Sequence, residues 1–206
     1  MTLRVNKLTV SFPNQRVINN FTYTFNDKGL YLIVAPNGSG KTTIFRAILG
    51  LINSSNQGIT INERPISSQR SKLFYYESSN WFDLNLSGLD YLKFVKSQWH
   101  STVPVESVIK LWNMQGYVKK AIRKYSLGMK QKLLIAMYLI SDADYMIMDE
   151  INNGLDEDSR KQLMQILNQM AQSKCIITSS HYKDEIMPYA NTVLTIKNCQ
   201  VVSSDD

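Results

Sequence analysis

Long apolar runs are missing from this chain of 206 residues, and no stretch is apolar for long enough to cross a bilayer. Residues 1–7 are polar where a secretory signal peptide would turn apolar, so we expect no such peptide. Cysteine is scarce too: Cys175 lies in an apolar run, and its spacing from Cys199 is not that of metal ligands. Reduced thiols and the missing span predict a soluble, cytoplasmic protein, which would need a second chain to act at a membrane.

Internal repeats, low-complexity segments and recognisable linkers are also absent, and the length suits one α/β domain with a substantial core. The charge is unbalanced, with 23 Lys and Arg against 17 Asp and Glu, which gives a net charge of +6 and a pI near 9.2. Such a charge suits a polyanion, namely a nucleotide, a nucleic acid or anionic lipid headgroups, without choosing among them.

A glycine-rich stretch with a lysine is the strongest pattern in the sequence. The apolar run 30–34 precedes Ala35-Pro36-Asn37-Gly38-Ser39-Gly40-Lys41-Thr42-Thr43, and a helical pattern, 44–49, follows it and stops at Gly50. A strand, a glycine-rich loop and a helix in this order are the context in which a Walker A match predicts phosphate binding. The alternative is a glycine-rich turn that happens to precede a lysine.

Each residue type in this loop suits a triphosphate. Gly38 and Gly40 allow backbone N–H groups to point at phosphate oxygens, and the positive end of the next helix adds to their field. Lys41 would bring a charge to the β- and γ-phosphates, and the Thr42 hydroxyl would bind Mg²⁺, which prefers oxygen ligands. Ala35 replaces the pattern's first glycine, and we expect it to keep a negative φ. The predicted nucleotide ligands in the loop are Asn37, Gly38, Ser39, Gly40, Lys41, Thr42 and Thr43.

Two adjacent carboxylates end a second apolar run, Tyr145-Met146-Ile147-Met148-Asp149-Glu150. A buried strand accounts for the apolar residues but not for two acids at its end, because an unpaired buried charge is costly. Mg²⁺ beside Asp149 would remove that cost, and Glu150 would polarise the water that attacks the γ-phosphate. The pattern is similar to a Walker B motif and predicts Asp149 as a metal ligand and Glu150 as a catalytic residue.

A third motif, Tyr125-Ser126-Leu127-Gly128-Met129-Lys130-Gln131-Lys132-Leu133, opens a helical pattern, and Ser126 suits its N-cap. The motif resembles the signature of the ATP-binding-cassette (ABC) family, Leu-Ser-Gly-Gly-Gln, in which Ser126 and Gly128 are kept. The other three places are taken by Tyr125, Leu127 and Met129. The resemblance implies that Ser126 and Gly128 reach the γ-phosphate of a nucleotide held by a second subunit. A serine-capped helix without a ligand is the alternative.

The same resemblance implies roles for two later residues. Asn152-Asn153-Gly154-Leu155-Asp156 resembles the family's D-loop, which would place Asp156 between two protomers; an N-cap of the next helix is the competing interpretation. His181 follows the apolar run 175–179 and resembles the family's switch histidine, which contacts the γ-phosphate. A structural histidine is the alternative, although a strand end beside a nucleotide site favours a functional one.

Two residues outside these motifs are ambiguous. Phe12 lies at a turn, from which it would either stack on a bound base or anchor the turn in the core. Glu77 lies within the aromatic stretch 73–82, and it would either contact the nucleotide and its metal or be a solvated loop charge. An exposed part of that stretch would form an apolar patch suited to a partner protein.

Residues 87–124 show helical periodicity and are locally basic. The apolar positions are Leu89, Leu92, Phe94 and Val95, then Val105, Val108, Ile109, Leu111 and Trp112. The basic positions around the signature are Lys119, Lys120, Arg123, Lys124, Lys130 and Lys132, and we interpret most of them as a solvated face.

The resemblance extends over nearly the whole chain and implies an α/β fold. This fold is a P-loop NTPase (RecA-like) core with an N-terminal antiparallel β-subdomain and a helical insertion subdomain. We predict a single ABC ATPase domain, 1–206, in which 1–84 and 133–206 form the nucleotide-binding core with the β-subdomain. Residues 85–132 would form the helical subdomain that ends in the signature.

The implied function is the ATPase subunit of an ABC transporter, with ATP and Mg²⁺ as its ligands. The predicted partners are a second ABC ATPase subunit, identical or not, and a transmembrane permease docked near 75–82 and the helical insertion. The permease would hold the chain peripherally on the inner face of the cell membrane, and the signature variant suggests peptide or bacteriocin export or immunity. No nucleic acid is expected. The competing hypotheses are a soluble ABC ATPase acting on nucleic acid or ribosomes, and a nucleotide-dependent binding module with little turnover.

Overall fold

Two β-sheets and the helices packed on them make up the chain. The computed structural model describes residues 2–13, 15–180 and 183–203, and the structural statements below concern these residues. The strands are β1 (Thr2–Phe12), β2 (Gln15–Asn26), β3 (Gly29–Val34), β4 (Ile59–Ile61), β5 (Arg64–Pro65), β6 (Leu73–Tyr75), β7 (Tyr145–Met148), β8 (Cys175–Ser179), β9 (Thr192–Lys197) and β10 (Gln200–Ser203). The helices are α1 (Lys41–Ile48), α2 (Gly88–Gln98), α3 (Val105–Leu111), α4 (Leu127–Ser141), α5 (Glu157–Met170) and α6 (Lys183–Ile186).

The larger sheet has the order β10-β9-β3-β8-β7-β6. Its strands run parallel except for β10, which adds an antiparallel edge. Nearly every residue of β3, β7 and β8 is buried, as expected for parallel strands covered on both faces. In the register, Ile33 lies opposite Ser179, and Met148 lies opposite Thr178. The carboxyl ends of these three strands therefore meet at one edge of the sheet.

The smaller sheet is antiparallel and has the order β2-β1-β4-β5. This sheet confirms the predicted antiparallel β-subdomain. Together with the parallel sheet and its helices, it confirms the predicted α/β fold class.

Alternating side chains of β3 divide the core into two layers. Leu30 and Leu32 face the layer that contains α2, α3, α4 and α5. Tyr31 and Ile33 face the layer that contains α1 and the antiparallel sheet. The middle of α4, residues 133–138, is buried on all sides, because this helix lies between the sheet and the helices α2 and α3. Both faces of the parallel sheet are therefore shielded from water, and its carboxyl edge is left to form a site.

The predicted helical periodicity between 87 and 124 corresponds to two helices, α2 and α3, followed by turns up to the start of α4. Trp112, one of the apolar positions of this periodicity, is buried. Phe94 is 60% exposed and Leu111 is also exposed, so these two apolar positions of the periodicity lie outside the core. The short helices turn only one face to the core, and these two side chains lie outside it. Within the described residues, no helix is long and apolar enough to cross a bilayer.

The two cysteines differ in accessibility, and this difference gives a prediction for thiol labelling. Cys175 is buried in β8, and burial raises the pKa of its thiol, so the reactive thiolate is scarce. Cys199 is partly exposed, and its Sγ donates to the carbonyl oxygen of Arg16 at 2.9 Å. We expect a disulfide reagent to modify Cys199 alone in the native protein and both thiols in denaturant. Mass spectrometry after labelling checks this, with Cys199→Ser as the control; rapid native labelling of Cys175 would contradict it.

Candidate active site

The loop between β3 and α1 contains the residues predicted to bind phosphate. Gly38 and Gly40 have φ angles of 75° and 105°, a left-handed region that favours glycine. A Cβ atom at Gly40 would also lie 2.4 Å from Cγ1 of Val17, so β2 packs directly against the loop. Ala35 does not have a positive φ, which confirms the expectation that alanine is accommodated there.

Lys41 begins α1, and its nearly buried side chain folds back over the loop. Its Nζ donates to the carbonyl oxygens of Ala35 at 3.0 Å and Pro36 at 3.2 Å. Oγ of Ser39 is buried in the same loop and has no hydrogen-bond partner among the described residues. A phosphate in the loop would supply the acceptor that Ser39 lacks, and for Lys41 an acceptor stronger than a carbonyl. The donors present therefore fit a polyphosphate.

The carboxylate of Asp149 follows β7 and is held by two hydroxyl groups. Thr42 Oγ1 donates to Oδ2, and Ser179 Oγ donates to Oδ1 at 2.5 Å. Burial raises the pKa of Asp149, and these two hydrogen bonds oppose the rise. The arrangement joins the phosphate loop to the predicted metal ligand.

Glu150 has a φ of 49°, which is uncommon for a residue other than glycine and points to a locally constrained backbone. Its N–H donates to Ser179 Oγ at 3.1 Å. Its carboxylate accepts from Nδ2 of Asn153 at 2.7 Å and lies 3.9 Å from Nζ of Lys41. The backbone and the side chain of Glu150 are thus both held, with the carboxylate beside the phosphate loop.

Two neighbouring clefts share Thr42 and Glu150. The first has a volume of about 340 Å³ and is also lined by Asp149 and Asn153. The second, of about 350 Å³, is lined by the phosphate loop. Among the described residues, no cluster of three or more His, Cys, Asp or Glu side chains could hold a metal. A metal here would take Thr42, Asp149 and substrate phosphates as ligands, which is how Mg²⁺ is usually bound.

Glu77 lies at the rim of the first cleft, but its carboxylate already has partners. Arg46 of α1 donates to both oxygens, with Nε at 2.5 Å from Oε2, and the Tyr75 hydroxyl donates to Oε2 at 2.9 Å. The Arg46 hydrogen bonds lower the pKa of Glu77. The interpretation of Glu77 as a solvated loop charge is therefore wrong. Its predicted contact with a metal stays a prediction, and it would require Glu77 to leave Arg46.

Comparison with known proteins decides the family. The sequence profile of the ABC transporter family matches residues 18–153. The chain belongs to the ABC transporter family. Its relatives include the lantibiotic transport ATP-binding protein SrtF of Streptococcus pyogenes, 29% identical over 93% of this chain and 85% of that protein. Another is the bacitracin transport ATP-binding protein BcrA of Bacillus licheniformis, 28% identical over 89% of this chain and 63% of that protein.

A solved structure described as the ATP-binding subunit of an ABC transporter has the same fold. It matches 100% of this chain and 91% of its own with a TM-score of 0.88 and 21% identity. From its family and relatives, the chain is the ATP-binding subunit of an ABC transporter, an ATPase coupled to transport. This confirms the predicted function, and it does not support the nucleic-acid or ribosome alternative.

The ABC signature lies at the start of α4. Ser126 is the N-cap, as predicted: its Oγ accepts from the Met129 N–H at 3.2 Å, and the residue is exposed. A Cβ atom on Gly128 would lie 3.2 Å from the carbonyl oxygen of Gly154, so α4 starts directly against the predicted D-loop. Leu127 covers Gly154 from the same side. A second molecule can therefore reach Ser126 without unfolding the start of α4.

Asp156 is the N-cap of α5, since its Oδ1 accepts from the Ser159 N–H at 2.8 Å. The N-cap interpretation is confirmed. The side chain remains largely exposed, with Lys132 Nζ at 3.9 Å from Oδ2. Its predicted role between protomers stays a prediction.

Phe12 and His181 have different outcomes. Phe12 is 50% exposed, so its interpretation as a core anchor is wrong. Phe12 pairs with Gln15 across the turn between β1 and β2. Val17 follows two residues after Gln15 and packs against Gly40, so this turn lies near the phosphate loop. His181 lies outside the described residues, and its predicted contact with the γ-phosphate stays a prediction.

Sequence reasoning did not select Ser179, Asn153 and Arg46, although the structure places all three around the predicted carboxylates. Ser179 left the clearest signal: a polar residue ends an apolar strand, β8, at the edge of the sheet where Asp149 follows β7. No signal in the sequence pointed to Asn153 or Arg46, because their contacts depend on how a turn and a helix pack against the strands.

Ser179→Ala tests whether this serine positions the two carboxylates. The change removes the hydroxyl that donates to Asp149 and accepts from the Glu150 N–H. We therefore expect kcat for ATP to fall about tenfold or more, with a smaller change in KM. Steady-state ATPase assays measure both constants. Ser141→Ala is the matched control, because Ser141 is also buried, and its Oγ likewise donates once, to the Tyr138 carbonyl oxygen, and accepts once, from the Ala143 N–H. Equal effects of the two substitutions would show that Ser179 is merely structural.

Proposed function

We propose that two copies of this ABC ATPase, or one copy and a similar subunit, close over two ATP–Mg²⁺ and reopen after hydrolysis. Support comes from the meeting of Lys41, Thr42, Asp149 and Glu150 around two neighbouring clefts that share Thr42 and Glu150. Ser126 is exposed at the head of a capped helix, where it is free to reach a second molecule. The cleft of one chain would thus be completed by the signature of the other.

Within one chain, the phosphate loop would bind the triphosphate through its backbone N–H groups, with Lys41 on the β- and γ-phosphates. Phe12 would stack on the base. Mg²⁺, held by Thr42 and Asp149, would neutralise charge that develops on the phosphate oxygens. Ser179 would hold Asp149 in place for this contact.

Glu150 would orient and polarise the water that attacks the γ-phosphorus, and ADP would leave from the opposite side. The 2.7 Å contact with Asn153 holds this carboxylate at the cleft, where it must accept a proton from the water. His181 would contact the γ-phosphate from the end of β8. The other subunit would contribute Ser126, Gly128 and Asp156.

Glu150→Gln tests the catalytic assignment. The amide has nearly the same shape but is not a base, so we expect turnover to fall about 100-fold or more while ATP binding is kept. We also expect the variant to accumulate as a dimer with ATP and Mg²⁺, measured by light scattering after size exclusion. The control is Glu106→Gln, which changes an exposed carboxylate of α3. Unchanged turnover in Glu150→Gln would make the catalytic assignment wrong.

We also propose that the permease docks in an apolar groove between the end of α1, β6 and the end of α2. The groove, of about 310 Å³, is lined by Leu49, Tyr75 and Trp99 among others. Trp81 borders it and is 53% exposed, an unusual position for a large aromatic side chain without a partner protein. The groove coincides with the predicted docking site near 75–82 and the helical insertion.

Trp81→Ala tests this docking site. Exposed tryptophans at protein interfaces often dominate the affinity, so we expect permease binding to weaken about tenfold or more. The measurement is the affinity of the purified chain for its permease in detergent, with nucleotide binding as the check on folding. Phe94→Ala is the control, because Phe94 is a similarly exposed aromatic residue, at 60%, and does not line the groove. Equal losses in both variants would argue against the groove.

The remaining proposals concern cargo, location and domain division. The signature variant and the relatives named for lantibiotic and bacitracin transport support peptide export or immunity as the task of the permease. The chain would lie peripherally on the inner face of the membrane. Residues 85–132 would act as a helical subdomain against a core formed by 1–84 and 133–206.

A further inference from the structure

Positive charge is concentrated in one segment of the chain. Residues 85–132 contain nine Lys and Arg against two Asp and Glu, a formal charge of +7, whereas the whole chain carries +6. The other residues together are therefore close to neutral. Lys41, the cation predicted to bind the β- and γ-phosphates, lies outside the segment and does not contribute to this excess.

Four of these cations form a basic stretch directly before the start of α4: Lys119, Lys120, Arg123 and Lys124. All four are exposed. The ion pairs found among the described residues include none of them. Arg123 Nη1 donates to the neutral Oδ1 of Asn85 at 3.1 Å. The basic stretch thus presents its charge to the surroundings.

Two exposed leucines lie beside the basic stretch. The Ile122 N–H donates to the carbonyl oxygen of Leu86 at 2.9 Å, and the Arg123 N–H donates to that of Leu84 at 3.0 Å. Leu84 and Leu86 are 48% and 44% exposed. These hydrogen bonds hold a pair of apolar side chains next to the four cations.

Two carboxylates, Asp83 and Asp90, lie close to Leu84 and Leu86 in the sequence, and they do not cancel the charge of the basic stretch. Asp83 accepts the Asn85 N–H at 2.8 Å. Asp90 accepts the N–H and the hydroxyl of Ser87 at 2.9 and 2.6 Å, as part of the capping box of α2. Both acids serve the local turn and helix start, and the four cations outnumber them.

We propose that the basic stretch, together with Leu84 and Leu86, binds the anionic lipid headgroups of the membrane that contains the permease. The inference rests on the proposed function, since a chain docked on a permease lies close to that surface. Each Lys or Arg near an anionic leaflet adds to the attraction, and leucine side chains gain by entering the boundary between headgroups and acyl chains. The solvated face predicted from the sequence is, in this proposal, a lipid-facing one.

The cations and the leucines together favour a lipid surface over two other partners, namely a loop of the permease and a nucleic acid. Cytoplasmic loops of membrane proteins are rich in Lys and Arg, so permease loops would repel the basic stretch. A nucleic acid would be attracted to the four cations, but it would leave Leu84 and Leu86 in water. Of these three partners, the anionic lipid surface is the one that would bind both the cations and the leucines.

Vesicle binding of the purified full-length chain tests the proposal. The vesicles are phosphatidylcholine alone, or phosphatidylcholine mixed with phosphatidylglycerol, and sedimentation measures the bound fraction at low and high salt. We expect binding to the anionic vesicles only, weakened by salt. The vesicles contain no permease and the assay contains no nucleotide, so a negative result overturns the lipid proposal and leaves the dimer and docking proposals to their own tests.

Two variants assign the binding to this surface. Changing all four residues of the basic stretch to Gln is expected to weaken binding about tenfold or more, and Leu84→Ser with Leu86→Ser is expected to weaken it less. The charge-matched control changes four exposed cations elsewhere to Gln, namely Lys7, Lys28, Arg64 and Lys197. ATP binding, which should be unchanged in every variant, checks folding. Equal losses in the control, equal binding to neutral vesicles, or stronger binding to RNA or DNA at the same salt would overturn the proposal.

Discussion

The carboxylate of Asp149 is held from two sides, by Thr42 at the start of α1 and by Ser179 at the end of β8. These donors come from parts of the chain that are far apart in sequence, and they meet because β3, β7 and β8 end at one edge of the parallel sheet. A buried carboxylate without such donors would be costly. The phosphate loop, the carboxylates and their hydroxyl partners therefore depend on the register of this sheet.

Two of the three carboxylates around the cleft lie beside a cation, and the third is held by hydroxyl groups. Arg46 neutralises Glu77, while Lys41 lies near Glu150, and the donors to Asp149 among the described residues are the hydroxyls of Thr42 and Ser179. Burial is the largest cause that raises the pKa of Asp149, and the negative charges of Glu150 and Glu77 raise this pKa further. A divalent cation beside Asp149 and a polyphosphate beside Lys41 would complement these groups. The cleft thus has the electrostatics of a site that is completed by its substrate and metal.

Much of the fold and of the candidate site could be predicted, because the decisive patterns are local. A glycine that needs a positive φ, such as Gly40, and a serine or aspartate that caps a helix, such as Ser126 or Asp156, act within a few residues of themselves. Buried strands were recognisable because both sheet faces are covered, which makes their runs apolar throughout. Periodicity correctly indicated a helix around Phe94 but did not indicate its burial, since a short helix leaves room for an apolar residue outside the core.

The sequence by itself determined the order of the phosphate loop, signature and carboxylate motifs, and with it the family, because each motif is a short run that can be recognised without knowing which distant residues it contacts. Tertiary structure alone decided that Arg46 would bind Glu77, that Asn153 would hold Glu150, and that two leucines would lie beside a basic stretch. Such contacts join side chains whose separation is set by strand register and helix packing. A linear pattern carries no information on those distances.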